Sequence, residues 1–456
     1  MIVTTTRYTV YAVLIISSLA VAQTQQPRWI ELPLAPKPAP GTGAKIDDLF
    51  FINPETGWAS VRFGNPATAS VYKTTDGGKT WASYEVVPGQ LPSIRSIRFT
   101  DALTGFVGSL TISPLFKTTD GGVTWNPVSN LPPGPTAVCG LFSLDSQNIF
   151  GVGAYDANRT PYFIKTTNGG ESWTIKNMIS PTPLAGALVD IYFFTPDIGF
   201  VVGASADGDG LNNKKAVVLR TTNGGFSWNE VYKGTQIGQL CWKINFPTPT
   251  LGFISIEPFP FGAANNPKFL KTTNGGLTWT QQSFPAGNYP LEMQGIQFLS
   301  NGQRGWVGGF RDTGYETTDG GISWTSSFGS NLNRFRMFGD TLGYASGTTI
   351  YKYTTETITS VDKPAPAVPL VTNLDQNYPN PFNPQTTIEF TLNEFTHVKL
   401  TIHDALGRVV DTILDENLDQ GVYRKHWDAR GFPTGTYFYR LVTPHSTETK
   451  KMLLVK

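Results

Sequence analysis

Three features of the sequence predict an all-β chain, a seven-bladed β-propeller followed by a small immunoglobulin-like β-sandwich: six near-identical nine-residue turns spaced 44 to 55 residues apart, a composition rich in turn formers, and a compositional break near residue 356. The 456 residues include 47 Gly and 33 Pro, and only 15% are charged, against roughly 25% in an average soluble domain. A formal charge of +1 and the lack of any Lys/Arg block give no field that would hold nucleic acid, and none is expected as a partner.

The turn reads KTTDGGKTW from Lys73 to Trp81 and recurs as KTTDGGVTW to Trp125, KTTNGGESW to Trp173, RTTNGGFSW to Trp228, KTTNGGLTW to Trp279 and ETTDGGISW to Trp324. Asp76, Asp120, Asn168, Asn223, Asn274 or Asp319 caps the turn by accepting bonds from downstream N–H groups, and the paired glycines supply positive φ. Each tryptophan is thereby given a fixed direction in which to pack. A second pattern precedes most copies, an aromatic followed six to seven residues later by Gly and another aromatic: FINPETGW from Phe51, FTDALTGF from Phe99, FFTPDIGF from Phe193, FPTPTLGF from Phe246. A shorter version, FGDTLGY from Phe338, opens a seventh unit that lacks its own turn and fourth strand. Arg28-Trp29-Ile30-Glu31-Leu32 resembles the segment that follows each turn. Residues 28–33 are therefore expected to close the seventh blade and remove an open sheet edge. The propeller is assigned to residues 28–355.

These residues resemble the Asp-box, or bacterial neuraminidase repeat, family: Thr74, Asp76, Gly78, Thr80 and Trp81 match its pattern position by position, with Asn replacing Asp in three copies. The resemblance extends to propellers like the photosystem II assembly factor and to sortilin-like receptors. It implies the fold but no single activity, because the box occurs in sialidases, xyloglucan-cleaving hydrolases and binding propellers alike. It also implies that the box residues are structural.

At the N-terminus, Arg7 precedes an apolar run ending in Ala20-Val21-Ala22, so residues 1–22 are expected to be a cleaved secretory signal. No other stretch is long and apolar enough to span a bilayer. Cys139 and Cys241 fall in non-adjacent repeats and are expected to be free thiols. The Pro-rich stretch Val361-Asp362-Lys363-Pro364-Ala365-Pro366 marks a linker over 356–373. Beyond it, from 374 to 456, short alternating segments separated by turns predict the sandwich. Its residues Asn377-Tyr378-Pro379-Asn380-Pro381-Phe382-Asn383-Pro384, Asp404-Ala405-Leu406-Gly407-Arg408, Gly435-Thr436-Tyr437 and Lys451-Met452-Leu453-Leu454-Val455-Lys456 resemble the type A C-terminal sorting domain of type IX secretion, with His403 in place of a usual Tyr. That resemblance implies Sec export, handling by the type IX translocon, and release or attachment at the outer-membrane surface.

All four histidines (397, 403, 426 and 445) lie in the tail, which removes His-based nucleophilic catalysis and His-ligated zinc from the propeller. No cofactor is expected. Glycoside hydrolysis needs only two carboxylates and stays open as the competing reading. The candidate ligand-binding residues are Asp47, Arg95, Arg98, Asp190, Trp242, Gln294, Arg334 and Arg336, at or near the starts of inner strands. Those of units seven, one and two would share one arc of the channel mouth, either salt-bridged to one another or holding an anionic or protein ligand. Trp242 is placed to stack on a sugar or to join the core. In unit four, Asp207 and Asp209 alternate as in a calcium loop, but the acidic ligands expected further along are missing. The expectation is thus a secreted or surface-displayed monomer that binds a protein or glycan without catalysis.

Overall fold

A computed structural model of the chain describes residues 26–38, 45–62, 69–90, 92–153, 160–179, 183–208, 210–258, 267–285, 292–309, 313–358, 372–392, 396–418 and 421–456. The expected signal segment, Asp209 and most of the expected linker lie outside them. The chain divides into two compact units, Met1–Ile358 and Thr359–Lys456.

The first unit is a seven-bladed β-propeller. Its blades are seven four-stranded antiparallel sheets, and in six of them the strands follow chain order. The inner strands, which line the central channel, are Ile46–Phe51, Ile94–Phe99, Gly140–Ser143, Ala187–Phe193, Gln239–Asn245, Met293–Phe298 and Arg334–Phe338. The seventh blade differs: its outermost strand is Arg28–Glu31, paired with Ile350–Thr354 from the other end of the unit. Trp29 fixes that strand by stacking on Phe328 at 4.6 Å and standing edge-on to Trp306 at 5.5 Å.

The aromatic-Gly-aromatic pattern is the device that joins blades. The aromatic at the end of one inner strand lies flat on the aromatic that opens the second strand of the preceding blade. Trp58 stacks on Phe99 at 3.5 Å, Phe51 on Tyr344 at 3.7 Å, Phe150 on Phe193 at 3.8 Å and Phe253 on Phe298 at 3.8 Å. The intervening glycine makes room for the ring, since a Cβ on Gly57 would sit 2.4 Å from Phe51. Tryptophans from the turns meet aromatics of the blade seams edge-on: Trp81 meets Phe51, Trp125 Phe99, Trp228 Phe193 and Trp324 Phe298 at the stacks, while Trp173 meets Phe106 and Trp279 meets Phe246.

All six turns share the same backbone hydrogen bonds. In the first, the Asp76 carboxylate accepts from Thr80 N at 2.9 Å and Thr80 Oγ1 at 2.6 Å, while Thr74 Oγ1 accepts from Gly78 N at 2.9 Å. The Asn turns keep the backbone bond and reverse the outer one: Asn223 Oδ1 accepts from Ser227 N, and Asn223 Nδ2 donates to Ser227 Oγ at 2.8 Å. A further difference separates the two kinds. The indoles of Trp81, Trp125 and Trp324 donate to the second glycine's carbonyl, whereas those of Trp173, Trp228 and Trp279, all in Asn turns, have no hydrogen-bond partner.

The second glycine is the more tightly packed of the pair in the first, fourth, fifth and sixth turns. Gly225 has φ +86, and a Cβ there would lie 2.2 Å from the buried Phe163 ring. Gly225→Ala is expected to cost about 3 kcal/mol in urea unfolding, combining left-handed strain with overpacking. Gly210→Ala, at φ +66 with nothing within 4 Å of its Cβ position, is the control and should lose only the strain share, about 1 kcal/mol.

The second unit is a sandwich of two antiparallel sheets, one of three strands and one of four. Its core contains Phe382, Ile388, Phe390, Trp427, Tyr437 and Tyr439. The Pro-rich motif is tied to the last strand: Phe382 N donates to Leu453 O and Val455 N to Phe382 O, both at 3.0 Å. Asn377 N donates to Tyr439 Oη at 2.7 Å, and Asn377 Nδ2 to Thr386 Oγ1 at 2.8 Å. His403 fits its site with both ring nitrogens engaged, 2.9 Å from Thr401 Oγ1 and 3.1 Å from Gly407 O.

Candidate functional site

The channel of the propeller collects the charged side chains of the inner strands. Pairing with the second strand sets equivalent positions, because Phe51 opposes Gly57, Phe99 opposes Gly105, Phe193 opposes Gly199 and Met337 opposes Gly343. Three layers follow along the axis. The mouth layer contains Asp47, Arg95, Trp242, Gln294 and Asn333; the middle layer Asp48, Asp190, Lys243 and Arg334; the exit layer Phe50, Arg98, Tyr192, Asn245, Gln297 and Arg336. Register shifts at Ile46/Asp48, Ile94/Ser96, Leu188/Asp190, Cys241/Ile244 and Met293/Ile296 interrupt strict alternation in five inner strands. Consecutive residues such as Asp47 and Asp48 are thereby both turned to partners across the channel wall.

The middle layer is a closed salt-bridge network. Arg334 donates from Nε to Asp48 Oδ1 at 2.8 Å and, with its two terminal nitrogens, to both oxygens of Asp190 at 2.9 and 2.8 Å. Blade 7 is thus linked to blade 1 beside it and to blade 4 across the axis. Asp48 Oδ2 also accepts from Arg98 at 3.1 Å and from Ile97 N, while its Oδ1 accepts from Leu49 N; Asp190 Oδ2 accepts from Ile244 N. Burial works against ionisation of Asp190, yet Arg334, Lys243 and Arg98 hold its pKa below the usual carboxylate range. Burial also opposes the Arg334 charge, and Asp190 and Asp48 overcome it.

The mouth layer is filled. Asp47 pairs with Arg95 at 3.1 Å and Lys45 at 3.5 Å. Lys45 also donates to Gln294, whose amide donates to Glu257 at 2.9 Å. Trp242 is only 3% exposed: Arg95 lies over its ring and Asn333 accepts from its indole N–H at 2.9 Å, so it presents no face to a sugar. Glu257 is fully buried, its Oε2 has no hydrogen-bond partner, and burial raises its pKa to about 7.

The exit layer is open. A cavity of about 130 Å³ is lined by Phe50, Arg98, Phe142, Tyr192, Asn245 and Arg336, among others, and an adjoining one of about 300 Å³ by Tyr192, Asn245, Gln297, Phe335, Arg336 and Asp340. Arg336 belongs to both. Its Nε donates to Phe51 O at 3.2 Å, and its guanidinium lies over Phe50 and Phe338. No carboxylate among the described residues pairs with it. Burial, followed by repulsion from Arg98, pushes its pKa down to about 10.

The candidate residues share one channel at different depths: Asp47, Arg95, Trp242 and Gln294 are at the mouth, Asp190 and Arg334 in the middle, Arg98 and Arg336 at the exit. Those of units seven, one and two lie on neighbouring blades, where Arg95 pairs with Asp47 and both Arg98 and Arg334 pair with Asp48. Asp207 pairs with Lys233 at 3.1 Å, and among the described residues no group of three His, Cys, Asp or Glu side chains gathers to hold a metal. Sequence reading missed Lys45, Lys243 and Glu257, which carry no motif, and Tyr192 and Asn245, which look like ordinary strand residues until register places them in the cavity.

The family comparison decides the tail: residues 376–456 match the secretion system C-terminal sorting domain. They are a type IX sorting domain. Through this domain the chain is handled by the type IX secretion system, which places the protein outside the cell or on its surface. No helix among the described residues is long and apolar enough to cross a membrane. None of the curated proteins matches the chain in sequence. Among solved structures, YCF48 from Cyanidioschyzon merolae is similar at TM-score 0.50 and 19% identity over 73% of this chain and 100% of its own. YCF48 bound to D1 peptide gives TM-score 0.50 and 17% identity over 72% and 95%. PorZ of Porphyromonas gingivalis, a surface component of the type-IX secretion system, gives TM-score 0.49 and 14% identity over 92% and 60%. The likeness to the YCF48 structures establishes the propeller fold.

Proposed function

We propose that the propeller is an exported binding module, and that its ligand is a protein segment that places a carboxylate in the exit cavity. One observation carries this reading: the Arg336 guanidinium faces two joined cavities with aromatic walls, without an acidic partner among the described residues. A guanidinium in such surroundings gains a charge-assisted, bidentate partner when a carboxylate arrives. Phe50, Tyr192 and Phe335 offer apolar surface for the adjacent side chain, and Asn245 and Gln297 offer polar atoms for its backbone. YCF48, a similarly folded propeller, has been solved bound to D1 peptide, which supports a peptide as the ligand class.

The arrangement gives little support to a glycoside hydrolase. Such an enzyme needs a free carboxylate and a protonated carboxyl flanking one open site. Asp48 and Asp190 are both held by Arg334, Asp47 is held by Lys45 and Arg95, and Glu257, the carboxyl shifted toward neutrality, is sealed from solvent. Peptide and glycan arrays probed with the purified chain, followed by product analysis of every hit, test the reading. Retention of peptides ending in a free carboxylate, without cleavage, is expected. Glycan turnover that disappears in Asp47→Asn would replace this function with hydrolysis.

A further inference from the structure

The two exit cavities differ in charge, and the difference orients what they hold. Arg98, Arg334 and Arg336 line the smaller one, and no described carboxylate does. Among the described residues two charged side chains line the larger one, Arg336 and Asp340, and their signs are opposite. Asp340 lies just past the inner strand Arg334–Phe338 and four positions from Arg336, so the two Cα atoms are at most about 14 Å apart.

The Asp340 carboxylate is held in place without being neutralised. Ser300, from the neighbouring blade, donates to it from N at 2.9 Å and also from Oγ. Both donors are uncharged, and each carboxylate oxygen keeps a lone pair for a further donor. Among the described residues Asp340 forms no salt bridge, neither with Arg336 nor with any other cation. Phe246, Pro247, Phe335 and Met337 add apolar wall to the same cavity. A cavity of about 300 Å³ thus has a fixed cation, a fixed anion and an apolar lining.

We infer that Asp340 is a specificity-determining residue: the ligand ends in a basic residue, a lysine or arginine whose α-carboxylate is held by Arg336 and whose cationic tip reaches Asp340. This inference rests on the reading of Arg336 as the carboxylate site. Long basic side chains lie with their stems on apolar surface and their charged heads in polar surroundings, which is the sequence of environments the larger cavity offers. The α-ammonium of a free amino acid cannot replace the side chain. It is one carbon from the carboxylate and would be held against the arginines, whose charge repels it. An acidic terminal residue would direct its second carboxylate toward Asp340, a like charge.

Titration calorimetry of the full-length chain with Nα-acetyl-lysine and Nα-acetylnorleucine tests the inference, since the two acids share a four-carbon stem and differ in the terminal ammonium. Nα-acetylnorleucine has the more negative net charge and is the better ligand for the arginines alone. Nα-acetyl-lysine is nonetheless expected to bind at least about threefold more tightly, within the range of a partly exposed ion pair. Asp340→Asn, which keeps an oxygen for Ser300 to donate to, should remove that preference. Equal or reversed affinity in the parent protein, or a preference that survives Asp340→Asn, overturns the inference and leaves Arg336 as the carboxylate site. Failure of both acids to bind removes both readings. The ligand comparison in the parent protein decides the matter even if the variant does not fold.

Discussion

Arg334→Met is expected to destabilise the propeller by about 3–5 kcal/mol, the range for removing one partner of a buried ion pair. The substitution strands two carboxylates. Asp190 has no exposed surface and loses its bidentate partner, and Asp48, equally buried, keeps only Arg98 and backbone donors. Because the pKa of Asp190 is depressed in the folded protein, its contribution is present above the unfolded carboxylate pKa near 3.9 and is lost as pH falls through the lower folded value. The deficit of Arg334→Met should therefore shrink in acid. A triple variant with Asp48→Asn and Asp190→Asn should recover most of the loss, since neutral amides cost far less to leave in the channel. Urea unfolding at pH 7 and at about pH 3, below the unfolded carboxylate pKa, checks all three statements.

Removing residues 28–32 should be still more damaging. The seventh blade would fall to three strands and expose the edge of Ile350–Thr354. Trp29 and Leu32 also leave two core clusters, Leu32 being 2% exposed and directly beneath Gly78 of the first turn. Losses of about 3–5 kcal/mol for the tryptophan and about 2–5 for the leucine approach the whole stability of an ordinary domain. The truncated chain is expected to aggregate or to unfold below about 40 °C, and a synthetic peptide of residues 26–38 added in trans should restore cooperative melting. A truncated protein that melts like the parent would show that the ring does not depend on this strand.

The parts of the fold that repeat were legible, because each unit must solve the same packing problem with the same residues. Glycine six positions after an aromatic marks where Phe51 or Phe99 folds over the next strand, and the paired glycines mark positive φ. Arg28-Trp29-Ile30 could be matched to the seventh blade because a strand with one buried face carries its pattern with it. The channel was only half legible. Asp47, Arg95 and Arg334 announce themselves as charges in apolar strands, but the bulges break the period of two on which a facing assignment rests. Arg95 and Arg98 therefore look like neighbours in one patch, whereas one pairs with Asp47 at the mouth and the other with Asp48 further in. That Arg334 spans the axis to Asp190 could not be read from local pattern, since the two lie 144 positions apart. Lys243 and Glu257 owe their shifted ionisation chiefly to burial, which no local pattern announces.

The network and the cavity have opposite characters, and this division is the core of the functional reading. The middle layer uses its charges on itself and locks the blades together; the exit layer keeps Arg336 available. Titration calorimetry with N-acetylphenylalanine and its amide tests that division most directly. The acid should bind at least about tenfold more tightly than the amide, the difference expected for a charge-assisted bond of about 1.5–3 kcal/mol, and Arg336→Gln should abolish that preference. Equal binding of acid and amide, or a preference unchanged in Arg336→Gln, would contradict the assignment of the exit cavity as the ligand site.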